Sequence, residues 1–404
     1  MQAADAQLSE LSGRIKAAAL AVGFDVVGIT PALPFPQAEA RLTSAVEAGL
    51  LTGLDWFDAE RARTAADPRN MMQTAQSVVS VGLCYLTADS NPSAAEEGEL
   101  RGRVAKYALG DDYHAIFRRK LRELLAQVQA ILGEFALAQG LEARLLADTA
   151  RIADRAAAQQ AGVGWYGKNT NILTRRYGSW VLLGELLLTV PLAYDAPIPR
   201  DCGSCDLCLR ACPTAALSPD DPYRLRANQC ISYLTIELRG SIPRDLRAAM
   251  GDNIFGCDIC QDVCPHNANV ASRLPAGDGH PEFRAQVIAA RPALLPLLQI
   301  TEEQFRARFA GKPVRRAKRE GLRRNVAIAL GNSGQPAALP ALIATLADPS
   351  AVLREHAAWA VGRIGGPAAV AALQAHLLVE DDPAVRTEIE LSLTEMTTAS
   401  EGEG

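Results

Sequence analysis

Eight of the nine cysteines in the sequence lie between residues 202 and 264. The first four are separated by two, two and three residues, and a proline follows the last; they are Cys202, Cys205, Cys208 and Cys212. Thiolates at this spacing are typical ligands of a 4Fe–4S cluster. In proteins with two such clusters, the fourth cysteine of the run binds the other cluster. The spacing therefore predicts a second set of ligands in this chain.

The second set is shorter by one cysteine. Cys257, Cys260 and Cys264 reproduce the last three positions of the pattern, and Cys230 is the remaining cysteine of the region. We assign Cys230 to the missing position. Crossed ligation, as in bacterial ferredoxins, then predicts two ligand sets. Cluster one takes Cys202, Cys205, Cys208 and Cys264, and cluster two takes Cys212, Cys230, Cys257 and Cys260.

A pair of zinc sites with four thiolates each is the alternative use of these cysteines. Zinc sites of that kind use paired CxxC motifs and do not require the triple spacing with its proline, so iron–sulfur clusters are favoured. Disulfides are not expected, because residues 1–10 lack the basic start and apolar segment of an export signal. Cys84 lies in a predicted strand and is interpreted as a buried apolar residue.

Iron–sulfur clusters transfer electrons, so another group must carry out the chemistry. The sequence has no GxGxxG motif after a strand and no phosphate-binding lysine motif. A motif for a histidine-ligated corrinoid begins at Asp112 but has Phe117 where glycine is needed. We therefore expect any acceptor cofactor to be bound by the domain before the cysteines, without a short motif.

The composition is that of a folded protein, with 49% hydrophobic and 22% charged residues. The net charge is −5, so a polyanionic partner must be met by a local basic patch. No stretch reaches the ~18–20 apolar residues of a membrane-spanning helix. We expect a soluble, cytoplasmic protein without a membrane partner.

The pattern of apolar residues divides the chain into regions. Residues 24–30, 77–81 and 179–190 are predicted strands, and residues 113–138 are a predicted helix. The segment 322–331 recurs as 353–362, which favours stacked HEAT-like repeats; a plain helical bundle is the alternative. The predicted regions are an α/β domain (1–195), a dicluster ferredoxin-like module (196–275), a helical bridge (276–320), HEAT-like repeats (321–396) and a disordered tail (397–404).

Beyond the cysteines, the sequence resembles the epoxyqueuosine reductases. The matching stretches are residues 103–114, 162–169, 230–237, 256–261 and 324–332. The resemblance implies an α/β domain that binds cobalamin and is similar in fold to reductive dehalogenases. It also implies that electrons pass through two 4Fe–4S clusters to cobalamin, and that the epoxide of epoxyqueuosine at the tRNA wobble position is reduced.

Opening an epoxide needs a proton donor, and two carboxyl groups are candidates. Asp148 follows an apolar strand and matches the position of the family's proton donor; Asp154, at the start of a predicted helix, is the alternative. We expect burial beside the corrinoid to raise the pKa of Asp148. The candidates for cobalamin or pocket contacts are Tyr107, His114, Lys168 and Asn169.

The sequence departs from the family pattern at two positions. His266 stands where tryptophan is expected, near cluster one, and is interpreted as a loop residue. Arg151 stands where proline is expected, two residues after Thr149, which loosens the turn after Asp148.

A tRNA substrate requires contacts with phosphates, and basic residues cluster at the start of the repeats. Residues 312–324 contain seven basic residues, of which Lys312 is the first, and one acidic residue, Glu320. The six candidates for tRNA binding are Arg315, Arg316, Lys318, Arg319, Arg323 and Arg324. The alternative is a solvated helix face.

Two other functions remain open on the sequence. The first is a reductive dehalogenase-like enzyme acting on a small molecule, and the second is a dicluster electron-transfer subunit. For the reductase, the expected partners are tRNA and an external low-potential electron donor, and we expect a monomer.

Overall fold

The computed structural model describes residues 2–87, 100–135, 137–148, 151–268, 270, 274 and 279–402. The chain forms two compact units. The first unit consists of Met1–Ala88, Asp111–Asn228 and Ile259–Phe283, and the second of Asp89–Gly110, Gln229–Asp258 and Arg284–Gly404. None of the helices in the described segments combines the length and the apolar character that crossing a membrane requires.

The regular elements are numbered along the chain. The strands are β1 (Val26–Pro31), β2 (Ser77–Cys84), β3 (Arg103–Val104), β4 (Ala143–Ala147), β5 (Trp165–Tyr166), β6 (Ile172–Leu173), β7 (Val181–Leu188) and β8 (Asn253–Phe255). The helices are α1 (Gln2–Ala21), α2 (Pro36–Glu47), α3 (Ala59–Ala65), α4 (Tyr113–Glu134), α5 (Asp154–Gln160), α6 (Leu207–Ala211), α7 (Ile231–Ile236), α8 (Arg244–Arg247), α9 (Ile259–Asp262), α10 (Leu294–Leu298), α11 (Glu302–Arg308), α12 (Lys318–Ser333), α13 (Leu339–Thr345), α14 (Ala351–Ile364), α15 (Pro367–Leu377) and α16 (Pro383–Gly402).

A four-stranded sheet in the order β1-β2-β7-β4 forms the centre of the first unit, and every neighbouring pair is antiparallel. Three of its strands are those predicted from the apolar runs. The predicted helix from residue 113 is α4, which ends at Glu134. Helices α1 and α4 pack on the sheet, and so does the short helix α5. Ala156 and Ala157 of α5 join the core formed by Val78, Leu146 and Leu187.

The second unit contains the short parallel pair β3-β8 and the stacked C-terminal helices. Gly331 of α12 lies against Ala360 of α14, where a Cβ atom would come within 2.8 Å. At the equivalent repeat position, Gly362 of α14 lies against Ser392 of α16, where a Cβ atom would come within 2.5 Å. The same small residue therefore permits close packing in successive repeats, which confirms the predicted HEAT-like architecture. The last helix continues to Gly402, within the segment predicted as a tail.

Candidate functional site

The four cysteines predicted for cluster one line a single cavity in the first unit. Cys208 lies in α6, and Cys264 follows α9. The cavity has a volume of about 210 Å³ and is lined by Lys168, Asn169, Leu173, Cys202, Cys205, Leu207, Cys208, Cys264, Pro265 and His266. Burial, followed by the proximity of Cys202 and Cys264, raises the pKa of Cys208 to about 11. Four thiols around one cavity are a donor set that fits a 4Fe–4S cluster.

Polar residues hold the segments around this cavity. Nζ of Lys168 donates to the carbonyl oxygen of Gly203 at 2.7 Å. Nδ2 of the buried Asn169 donates to the carbonyl oxygen of Cys260 at 3.3 Å. The His266 ring packs edge-on against Trp165, with ring centroids 5.1 Å apart. These contacts bring Lys168 and Asn169 to the cysteine segments, and their role toward cobalamin stays a prediction.

The cysteines predicted for cluster two are divided between the two units. In the first unit, Cys212 and Cys260 pack in one apolar cluster with Leu209 and Leu217. In the second unit, Cys230 directly precedes α7, and Cys257 comes two residues after β8. Their assignment to one cluster stays a prediction.

Cys84 is the last residue of β2 and is buried, as predicted. Burial raises the pKa of its thiol to about 12. The thiol therefore remains protonated at neutral pH.

Asp148 lies directly after β4, in a left-handed backbone conformation with φ of 46°. The hydroxyl of Tyr113 donates to Oδ2 of Asp148 at 2.6 Å. Nε2 of His114 lies 3.1 Å from the same oxygen, which is within ion-pair distance, although the angle is outside that of a hydrogen bond. The other ring nitrogen, Nδ1, lies 2.7 Å from Asp112, which also caps the N-terminus of α4. One end of α4 thus brings a histidine and a tyrosine to the carboxylate, whose side chain is 51% exposed.

The pKa values of His114 and Asp148 are shifted in opposite directions, and their mutual contact contributes to both shifts. Contacts with Asp112 and then Asp148 raise the pKa of His114 to about 9. Burial tends to raise the pKa of Asp148, but the contacts with His114 and Tyr113 outweigh it, so the net shift of this pKa is downward. In the chain by itself the pKa shift of Asp148 is thus opposite to the one that we expect from burial beside the corrinoid, and that expectation stays a prediction. A cationic imidazole against the carboxylate stabilises its charged form.

Asp154, the alternative proton donor, begins α5 as predicted. Burial raises its pKa to about 6, and the nearby charge of Asp148 adds to this shift, although Arg155 opposes it. Of the two candidate carboxyl groups, Asp154 is therefore the one that holds a proton closer to neutral pH.

A third carboxyl group lies deeper in the sheet. Glu185 of β7 is fully buried and stands directly opposite Ser80 of β2. Within the described residues, neither carboxyl oxygen of Glu185 nor the Ser80 hydroxyl has a hydrogen-bond partner. Burial, followed by the charge of Asp154, raises the pKa of Glu185 well above its usual value. Burial in the sheet therefore favours the protonated, neutral form of Glu185.

Tyr107 belongs to the second unit, where its ring centroid lies 6.3 Å from that of Phe255. It lies in a 3-10 turn, Lys106–Ala108. Its role toward cobalamin stays a prediction.

The structure corrects the predicted tRNA contacts at two of six positions. Arg324 is 1% exposed and Arg323 is 7% exposed. Arg324 donates to the carbonyl oxygens of Leu234 and Gly240, both at 2.7 Å, and Arg323 pairs with Asp348. Their charges are used inside the second unit, so they do not face a phosphate.

The other four candidates are more accessible. Arg315 and Lys318 are exposed. Arg316 is exposed and pairs with Glu237 at 2.9 Å, while Arg319 donates to the carbonyl oxygen of Ile300. Lys312, which belongs to the same basic segment, is buried and donates to Gln286.

Sequence analysis missed three participants in these sites. Asp112 and Tyr113 directly precede His114 in sequence, and an aspartate before a helix start is a usual capping signal. Glu185 was visible as a single charge within an apolar strand. Such a residue in a buried strand is a signal for a neutral or paired acid.

Comparisons with known proteins place these features in one family. The family model described as "Epoxyqueuosine reductase QueG, DUF1730" matches residues 66–149. The model described as "4Fe-4S double cluster binding domain" matches residues 201–267, and the HEAT repeat model matches residues 314–394. The double-cluster match agrees with the cysteine spacing and favours clusters over zinc.

Similar proteins cover most of the chain. An epoxyqueuosine reductase of Xanthomonas campestris pv. campestris is 37% identical over 86% of this chain and 94% of its own length. The structure of epoxyqueuosine reductase from Bacillus subtilis, with its catalytic aspartate loop swung out of the active site, has a TM-score of 0.84 at 33% identity, over 95% of this chain and 98% of that one. A crystal structure of epoxyqueuosine reductase with an epoxyqueuosine-modified tRNA-Tyr stem loop also has a TM-score of 0.84 at 33% identity, over 96% of this chain and 99% of that one. The chain therefore belongs to the epoxyqueuosine reductase family of oxidoreductases.

Proposed function

We propose that this chain reduces the epoxide of epoxyqueuosine in tRNA to the alkene of queuosine. Two electrons and two protons are consumed, both C–O bonds of the epoxide break, a C=C bond forms, and the oxygen leaves as water. The observation that carries the proposal is the cavity of four cysteines at 4Fe–4S spacing, in a chain of this family.

Iron–sulfur clusters, when bound, would supply the electrons. Cys202, Cys205, Cys208 and Cys264 would hold cluster one, and Cys212, Cys230, Cys257 and Cys260 would hold cluster two. The supporting observations are the shared cavity of the first set and the matching spacing of the second. Clusters of this type reach potentials near the negative end of a range of about −700 to +450 mV, so the donor is an external low-potential carrier.

Cobalamin is the acceptor that the family resemblance implies, and when bound it supplies a strongly reducing metal centre. The four residues that we assign to cobalamin binding differ in how well their contacts suit that role. Lys168 and Asn169 donate to backbone carbonyl groups of the cysteine segments, which favours a structural role for both. His114 is held between Asp112 and Asp148. Since His114 is held beside Asp148, we assign the proton transfer to the departing oxygen to these two side chains and not to cobalamin.

Asp148 delivers a proton to the departing oxygen, and His114 supplies that proton to Asp148. At neutral pH the raised pKa of His114 keeps the imidazole charged, while the lowered pKa of Asp148 keeps the carboxylate charged. The carboxylate oxygen, 3.1 Å from Nε2, therefore accepts the proton from the ring as the alkoxide develops. Tyr113 holds this oxygen in place.

The exposed cations at the entry to the repeats bind tRNA phosphates. Arg315 and Lys318 are the strongest candidates, because their side chains are exposed in a chain of net charge −5. Arg316 and Arg319 extend the same segment. A tRNA substrate favours a cytoplasmic location, and the protein acts as a monomer.

The test is mass analysis of tRNA nucleosides after incubation with anaerobically reduced protein. Conversion of epoxyqueuosine to queuosine is expected, with loss of one oxygen atom and retention of the two hydrogens on the new alkene carbons. No conversion by protein that holds both clusters and added cobalamin would contradict the proposal. Dehalogenation of small halogenated substrates instead would favour the dehalogenase alternative, and electron transfer without either reaction would favour the carrier.

A further inference from the structure

Two short segments of the second unit carry Cys230 and Cys257. Cys230 precedes α7, and its carbonyl oxygen accepts the backbone hydrogen bond from Leu234 at 2.9 Å. Cys257 follows β8 and Gly256, whose φ is +70°. The relative position of α7 and β8 therefore determines where the two cysteines lie.

A buried hydroxyl group joins the immediate neighbours of these cysteines. Oγ1 of Thr235 donates to the carbonyl oxygen of Ile231 at 2.7 Å. The same oxygen accepts from the backbone N–H of Gly256 at 2.9 Å. Ile231 follows Cys230, and Gly256 precedes Cys257. One side chain thus fixes both segments at the residues next to the proposed ligands.

A second buried side chain comes from the first HEAT helix. Nδ2 of Asn325, in α12, donates to the carbonyl oxygens of Thr235 at 2.8 Å and Ile254 at 2.9 Å. Its Oδ1 accepts from Nε and Nη2 of Arg324 at 3.1 and 2.9 Å. The reverse orientation of the amide would place its oxygen against two carbonyl oxygens, so the hydrogen bonds determine this assignment. Asn325 therefore ties the end of α7 to β8.

We propose that Thr235 and Asn325 form a clamp that sets the spacing of Cys230 and Cys257 for cluster two. Both are positioning residues, and through Asn325 the HEAT helix α12 becomes part of the support of the cluster. A cluster requires its thiolates at fixed positions, and buried hydrogen bonds satisfied in a single geometry supply such positions. This inference rests on the proposed function, because it takes Cys230 and Cys257 as ligands of one cluster.

The test compares Thr235→Val and Asn325→Ala with matched controls. Asn332→Ala removes an asparagine of the same helix that donates to the carbonyl oxygens of Arg247 and Gly251, both at 2.9 Å. Thr345→Val removes a buried hydroxyl that bonds within its own helix, to Ala341 at 2.8 Å. The measurements on anaerobically reconstituted full-length protein are iron and sulfide content, spin-quantified EPR spectra and the midpoint potential of each cluster.

We expect both clamp variants to lose about half of their iron, or to keep it with one of the two midpoint potentials shifted, while the controls retain both signals unchanged. Thr235→Ser, which keeps the hydroxyl, should restore the wild-type load. The inference is overturned if folded Thr235→Val and Asn325→Ala keep a full iron load and unchanged potentials although Cys230→Ala and Cys257→Ala each lose a cluster. If the cysteine variants themselves retain both clusters, the ligand assignment of the proposed function is wrong instead. If Thr235→Val and Asn325→Ala both fail to fold, the outcome depends on Thr235→Ser. If Thr235→Ser, which keeps the hydroxyl, also loses cluster two, the hydroxyl does not have the proposed role.

Discussion

Nε2 of His114 lies 3.1 Å from Oδ2 of Asp148, and the opposite ring nitrogen contacts Asp112. A histidine between two carboxylates retains its proton to higher pH, and the pKa of His114 is raised from 6.5 to about 9. The imidazole of His114 is therefore protonated at neutral pH and loses its proton as the pH rises through about 9.

The first prediction concerns this pH dependence. The rate of single-turnover reduction of epoxyqueuosine in tRNA by pre-reduced enzyme should fall as the pH rises through about 9. His114→Gln should remove this decline and lower the rate at pH 7, because no imidazole remains to supply the proton. An unchanged decline in His114→Gln would assign the titration to another group.

Asp148 and Asp154 can be distinguished by paired substitutions. Asp148→Asn keeps the size of the side chain but cannot transfer a proton, so the single-turnover rate should fall by about 10²-fold or more. Cluster content and reduction should be unchanged. Asp154→Asn is the matched control, and its rate should stay near that of the wild type. If Asp154→Asn is the slower variant, the two roles must be exchanged.

Removing single cysteines tests the ligand sets. The reconstituted wild type should contain about eight iron atoms per chain, in two 4Fe–4S clusters. Cys230→Ala should lose cluster two and about four of these atoms. Cys84→Ala should keep all of them, because Cys84 is buried at the end of β2. A full iron load and both EPR signals in Cys230→Ala would show that another residue completes cluster two.

The exposed part of the basic segment should determine the salt dependence of tRNA binding. Replacing Arg315 and Lys318 by serine should weaken tRNA binding. The slope of the logarithm of the binding constant against log salt should become less negative by about 0.7–0.9 for each phosphate that the variant no longer neutralises. Arg122→Ser, an exposed position of α4, is the control and should leave the slope unchanged. An identical slope in the double variant would place the RNA interface elsewhere.

Glu185 should make stability depend on pH. Its pKa in the folded state is raised well above 4.5, so above pH 4.5 the unfolded chain releases a proton that the folded chain retains. Stability is therefore lost as the pH rises from 4.5 toward the folded pKa, by up to about 1.4 kcal/mol per pH unit. Glu185→Gln should remove this loss, so the melting temperature of the variant relative to that of the wild type should be higher at pH 8 than at pH 5. Equal differences at both pH values would contradict a neutral Glu185.

The spacing of residues in the sequence is sufficient to predict the cluster ligands, the elements next to the candidate proton donors and the C-terminal repeats. Metal ligands in one short segment follow local geometry, so the spacing of Cys202, Cys205 and Cys208 predicts them as cluster ligands without knowledge of the fold. The strand before Asp148 and the helix starting at Asp154 followed from apolar runs and helix signals. The HEAT repeats followed from the recurrence of residues 322–331.

Only the tertiary structure decided which charged residues face each other and which face solvent. His114 and Asp148 meet because α4 begins where β4 ends, and this contact reverses the expected pKa shift of Asp148. Arg323 and Arg324 look like surface cations in sequence, yet both are buried because nearby carbonyl groups and Asp348 satisfy them. Sequence shows the charge of a residue, whereas its partners and solvation come from segments far away in the chain, and those determine whether the charge binds a ligand or holds the fold.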